Sequence, residues 1–294
     1  MTSTRLLQLA VAAALAVVFW VGVRTVGRII LRLGGWRCGD PISAEVALGL
    51  ASFAMAGSAL GAVGWLSWPR MAAIVLLPGL AGCAHLVFTR RELGVVRWVD
   101  DASAVDVVIG FGLLLVTAVY VVLASAPAVH YDLMVNYLAV PKGYLVSGSV
   151  APLAENVFSS LSFGLHAVLL GPLALSELVD PSVFLFGGAE VVGFANVCAV
   201  AVAGGAAVRL GSRVCGGLPT GGRAAAAALL LWACMPQNLL VIALELPDPF
   251  VTCLTLLAAA SLVAAATDGG AADALACGVA CGLLVAAKPQ AAVP

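Results

Sequence analysis

The sequence predicts an all-α protein: a polytopic bundle of about eight membrane-spanning helices, with juxtamembrane helices on the outer face. Three observations predict it. Of the 294 residues, 63% are hydrophobic and 10% are charged, whereas a soluble domain needs roughly 25% charged residues to cover its surface. The mean hydropathy is +1.11. The apolar residues also fall into runs of about 20, the length a helix needs to cross the hydrocarbon layer. Backbone groups in lipid must pair within their own segment, so each run reads as a helix. The net charge of −1 offers no cationic face to a nucleic acid.

The runs follow in order over 6–23, 43–65, 71–89, 104–124, 182–208, 224–244, 249–267 and 274–291. The first span can itself target the chain, and the residues after position 23 are arginine-rich rather than a small-residue cleavage site. The region 157–176 is also apolar, but Gly164, His166, Gly171 and Pro172 interrupt it. The arginines decide how to read it. Arg24, Arg28, Arg32 and Arg37 lie in one loop, Arg90, Arg91 and Arg97 in a second, and Arg209, Arg213 and Arg223 in a third. The positive-inside bias puts all three loops in the cytoplasm. That requires one crossing between 124 and 209, so 157–176 is expected to be a juxtamembrane or re-entrant helix. The chain then divides into N-terminal helices over 1–103 and a core over 104–294, with an outer loop at about 125–181.

This topology puts two acidic clusters on one face. The loop from about 125 to 157 carries His130, Asp132, Lys142 and Glu155, and the turn Glu245-Leu246-Pro247-Asp248 faces the same side. Asp132 has two readings, a solvated loop carboxylate or a general base. Asn136 and Tyr137 follow it on an amphipathic run. Lys142 could steady a phosphate or anchor its helix at the interface. Asp248, between two prolines, suits a helix N-cap or a site carboxylate, and Glu245 suits an interfacial charge. Lys288 either snorkels to the surface or meets an anionic head group. His166 reads as a hydrogen-bonded core residue or a site group. Glu190 falls inside a predicted span, where ionisable groups are rare and face the protein interior. The eight cysteines are scattered in apolar runs and read as small buried hydrophobes. No set of metal ligands is recognisable, and the cofactor is left unassigned, with a divalent metal still open.

The run Tyr131-Asp132-Leu133-Met134-Val135-Asn136-Tyr137-Leu138-Ala139-Val140-Pro141-Lys142-Gly143-Tyr144 resembles the first outer loop of GT-C-fold bacterial membrane glycosyltransferases. These are similar to aminoarabinose transferase and to protein O-mannosyltransferases, which use polyprenyl-phosphate sugars. The resemblance covers roughly 120 to 290. Pro236, the Leu246-Pro247-Asp248 turn and Lys288 match later features, and the first three spans resemble extra N-terminal helices of some members. It implies a hexosyl- or pentosyltransferase in the inner (plasma) membrane, with its active loop extracytoplasmic. The donor would be a polyprenyl-phosphate-linked sugar, and the acceptor is not indicated. Asp132 would be the catalytic base and Asp248 a second catalytic-site carboxylate. Lys142, Tyr137, Asn136, His166, Glu245 and Lys288 would bind substrate.

The chain departs from the family pattern in places. Asn136-Tyr137 stands where a Tyr-His pair is common, His166 where a glutamate is common, and Ser162 where a proline is common. Lys288 precedes Pro289 rather than an aromatic residue, and relatives continue for several helices beyond the position of Pro294, which suggests a partial chain. Two other classes stay open. A transporter or flippase would need ionisable groups deep in its spans, for which Glu190 is the candidate. An inactive fragment or assembly partner would fit the lost family residues.

Overall fold

The structure, a computed structural model, describes residues 3–88, 103–125, 137–153, 156, 163–179, 190–216, 219–243 and 248–287. Among these residues the chain forms eleven helices and no strand. They are α1 (Ser3–Leu33), α2 (Pro41–Ala62), α3 (Trp68–Phe88), α4 (Ala104–Ala124), α5 (Ala139–Ser147), α6 (Phe163–Ser176), α7 (Glu190–Val214), α8 (Pro219–Ala233), α9 (Pro236–Ala243), α10 (Asp248–Asp268) and α11 (Ala271–Ala287).

Six of these, α1, α2, α3, α4, α7 and α10, are long and apolar enough to cross a membrane, where the sequence predicted about eight. Two expectations account for the difference. The run at 224–244 is not one helix, because α8 ends at Ala233 and α9 begins at Pro236. Proline has no N–H to continue the ladder, and its ring clashes with the preceding turn. The last run is described only as far as Ala287, and the 17 described residues of α11 are fewer than the roughly 20 of a full span.

The first helix departs the other way. It runs for 31 residues, about 46 Å at 1.5 Å per residue, and carries Arg24, Arg28 and Arg32 as its final turns. Arginine is a good helix former, so charge ends the apolar run without ending the helix.

Local signals set several boundaries. Asp40 caps α2 by accepting from the Ser43 N–H at 3.3 Å, with Pro41 at the first helical position, where its missing N–H costs nothing. Ser103 and Asp106 form a reciprocal capping box at the head of α4. The Ala233 carbonyl at the end of α8 accepts from the Tyr120 hydroxyl of α4 at 2.8 Å, which satisfies an otherwise orphaned helix-end acceptor.

The helices form one bundle. α1 packs on α2, α3 and α7; α10 packs on α7 and α11; and α2 reaches α11. At its centre the Trp20 ring of α1 stacks on Phe250 of α10 at 5.5 Å, and its indole N–H donates to the Ala195 carbonyl of α7 at 3.0 Å. α1 and α2 cross at backbone contact. A Cβ on Gly27 would overlap the Glu45 carbonyl, and one on Gly49 the Val23 carbonyl. Without a hydrophobic drive between helices in lipid, such small residues let dispersion forces hold them. α4 lies at the periphery against α7, α8 and α9, and Val108, Phe111, Leu114 and Val122 point outward, as lipid contact requires.

The bundle has two distinct ends. The end of α1, the start of α2, the end of α7 and the α10–α11 turn meet through Arg213, Asp268 and Gly39. The starts of α4 and α8 join the same end through Arg223 and Asp106 at 2.8 Å. This is the arginine-rich end. α6 lies in the opposite half: Gly164 abuts Ala286 near the end of α11, and Gly171 faces Phe19 and Val75. Its 14 described residues span about 21 Å, against a layer of about 30 Å. It is buried between α2, α3, α5, α7 and α11.

Candidate functional site

At the end opposite the arginine-rich one, α5 and α6 form a small polar and aromatic assembly. α5 ends at Gly148, whose φ of 74° closes a left-handed cap with its N–H on the Tyr144 carbonyl. The Gly148 carbonyl then accepts from the Leu66 N–H at 3.1 Å, which pins α5 to the α2–α3 turn. Val140, Pro141, Tyr144 and Leu145 face inward, and Lys142 is half-buried on the same helix. Tyr144 meets His166 of α6 edge-on, with ring centroids 6.3 Å apart and planes at 72°. Both side chains are fully buried, and desolvation pushes the Tyr144 phenol above its ordinary pKa.

Asp248 opens α10 at this same end, since α10 finishes at Asp268 among the arginines. The carboxylate therefore sits at the positive end of the helix dipole. Of the groups expected from sequence, Tyr137, Lys142, His166 and Asp248 are thus gathered at one end. Asp132, Asn136, Glu245 and Lys288 lie outside the described residues, as do His130 and Glu155.

Glu190 differs from expectation in its place along the helix. Sequence placed it inside a span over 182–208, but it is the first residue of α7. It pairs with Arg5, near the start of α1, at 2.6 Å. The carboxylate is buried, as the sequence predicted for an ionisable group in a span, and Arg5 is its partner.

The arginine-rich end holds a network that the sequence reading missed. Glu45 accepts from Arg24 at 2.7 Å and from Arg28 at 2.9 Å. Asp40 accepts from Arg209 at 3.1 Å and from the Ser43 hydroxyl at 2.7 Å. Asp273, fully buried in the first turn of α11, accepts from the Cys38 thiol at 2.9 Å and from the N–H groups of Gly39 at 2.7 Å and Asp40 at 3.1 Å. Burial together with the neighbouring Asp273 carboxylate pushes the Cys38 thiol up to about 12. The available signal was Asp40 before Pro41, an N-cap pattern beside an arginine-rich loop.

Among the described residues no group of three or more His, Cys, Asp or Glu side chains converges to hold a metal ion. The two ends together define the class: a helical membrane-embedded bundle with an arginine-rich end, and an opposite end that carries the Tyr144–His166 contact and the Arg5–Glu190 pair. No family model, curated protein or solved structure matches the chain. The family resemblance read from sequence therefore rests on the residues that carry it.

Proposed function

We propose that the chain is a membrane glycosyltransferase of the GT-C type, moving a sugar from a polyprenyl-phosphate donor to an acceptor at the end of the bundle that carries α5 and α6. The observation that supports this most is the gathering of Tyr137, Lys142, His166 and Asp248 at that end. The motif run around Asp132 feeds directly into the same assembly. In this reading Asp132 takes the proton from the acceptor hydroxyl, and the acceptor oxygen forms a bond to the sugar's anomeric carbon. The bond from that carbon to the carrier phosphate breaks, and the phosphate leaves on its lipid.

Asp248 orients the acceptor, Lys142 and Lys288 offset phosphate charge, and Asn136, Tyr137, His166 and Glu245 contact substrate. This end would face outward from an inner (plasma) membrane, with the arginine-rich end in the cytoplasm. The transporter reading keeps Glu190 as its candidate, a buried carboxylate paired with Arg5 at 2.6 Å. The test is transfer of labelled sugar from a polyprenyl-phosphate donor in proteoliposomes. Asp132→Asn keeps the shape but removes the proton acceptor, so turnover should fall about 10²–10⁴-fold. Unchanged transfer would remove Asp132 from the mechanism.

A further inference from the structure

α1 carries a longitudinal gradient on one face. Val17, Trp20 and Val21 are followed by Arg24, Arg28 and Arg32 at helical spacing. The face forms one wall of a cleft of about 520 Å³, closed by α3 and α7, a volume typical of small-ligand sites. Its interior is apolar, with Ala201 and Val202 of α7 opposite α1. Its mouth is cationic: Arg24, Arg28, Arg32 and Arg209 all line it. Glu45 and Asp40 are the carboxylates bonded to these arginines, which leaves an excess of two positive charges. Arg32 is exposed and has no ion-pair partner among the described residues.

An apolar slot with guanidinium groups at its mouth complements one kind of molecule, an amphiphile with a phosphate head and a hydrocarbon tail. Guanidinium matches phosphate geometry with paired donors, and basic pockets between membrane helices take anionic lipid head groups. Solvent phosphate alone would leave the apolar interior unused, and a zwitterionic lipid would leave the excess charge unmet.

We infer that the cleft between α1, α3 and α7 is a binding site for an anionic phospholipid, with its phosphate on Arg32 beside Arg28 and one acyl chain along Val17, Trp20 and Ala201. The site is at the opposite end of the bundle from the proposed transfer site and does not depend on that reading.

Native mass spectrometry of the full chain, offered phosphatidylglycerol and phosphatidylcholine of the same acyl length, tests it. The wild type should retain phosphatidylglycerol preferentially. Arg32→Gln should weaken that retention about fivefold while leaving phosphatidylcholine unchanged. Ala201→Phe, at an exposed small residue of the cleft, should block the acyl chain and also reduce retention. Val108→Phe on the lipid-facing surface of α4 should leave retention at the wild-type level. Equal retention of the two lipids by the wild type would overturn the inference. So would wild-type retention in both cleft variants, or an equal loss in the α4 variant. Displacement of the lipid by inorganic phosphate alone would mark a bare anion site and overturn the lipid assignment.

Discussion

Replacing Asp273 by asparagine should destabilise the bundle, and the geometry sets by how much. The carboxylate is fully buried and uses both oxygens: Oδ1 accepts from the Cys38 thiol and the Asp40 N–H, and Oδ2 from the Gly39 N–H. A carboxamide has one acceptor oxygen. In either orientation its NH₂ meets an N–H, so at least one buried donor loses its partner. A hydrogen bond to a charged acceptor contributes about 1.5–3 kcal/mol, and an unsatisfied buried donor costs about 1–3 kcal/mol. Asp273→Asn should therefore cost about 2–3 kcal/mol, and Asp273→Ala, which loses all three bonds, about 4–5 kcal/mol. At about 2–4 °C per kcal/mol for a chain of this size, the asparagine variant should melt about 4–12 °C lower. The assay is loss of the monomer peak after heating in neutral detergent. An asparagine variant as stable as the wild type would refute the reasoning, because burial of the charge would then outweigh its hydrogen bonds.

The same turn predicts a chemical signature. With the Cys38 thiol raised from 9.0 to about 12, its thiolate at pH 8 should be about a thousandfold scarcer than that of an ordinary thiol, so maleimide should label exposed Cys215 well before Cys38. The raised value also means that Cys38 favours folding fully below the unfolded value near 9.0, and that this contribution fades as pH rises towards about 12. Gly27→Leu or Gly49→Leu should separate α1 from α2 and abolish a folded monomer, because the added Cβ alone overlaps backbone; a normal melting curve for either would show that the crossing can relax. In a background without the other cysteines, Cys215 and a cysteine at position 248 should label from opposite sides of the membrane, and labelling from one side would sink the two-ended topology.

What the sequence made legible is what short-range chemistry controls. Composition and run length identified a helical membrane bundle, and the three arginine loops anticipated that Arg28, Arg209 and Arg213 would meet at one end. Pro236 stands in plain view, but an apolar run hides a break that only lost backbone pairing reveals. The length of α1 was missed for the opposite reason: hydropathy stops at Arg24, but helical hydrogen bonding does not. The acidic partners Glu45, Asp268 and Asp273 could not be assigned in advance. Their importance comes from pairings across as many as 235 positions, as between Cys38 and Asp273, and no local pattern encodes such a distance. Within the candidate site, the Tyr144–His166 contact was equally invisible, because it depends on how α5 docks on α6.

The carboxylates of the arginine-rich end lead to the last prediction. A general base needs a lone pair within reach of the substrate and a proton affinity suited to the working pH. At the arginine-rich end the described carboxylates are committed elsewhere. Glu45 binds two arginines, Asp40 binds Arg209, Asp268 binds Arg213, Asp106 binds Arg223, and Asp273 binds three donors. Oxygens already held by donors have fewer lone pairs free to reach a substrate proton. Glu45→Gln and Asp132→Asn should therefore separate stability from catalysis. Glu45 is 8% exposed, but its partners Arg24 and Arg28 are 41% and 21% exposed, so solvent screening reduces the cost of breaking the triad to about 1–2 kcal/mol. Glu45→Gln should melt earlier while keeping the transfer rate per folded molecule. Asp132→Asn should melt with the wild type and lose transfer. If Glu45→Gln instead lost transfer at full stability, the reacting centre would have to be sought among the arginines.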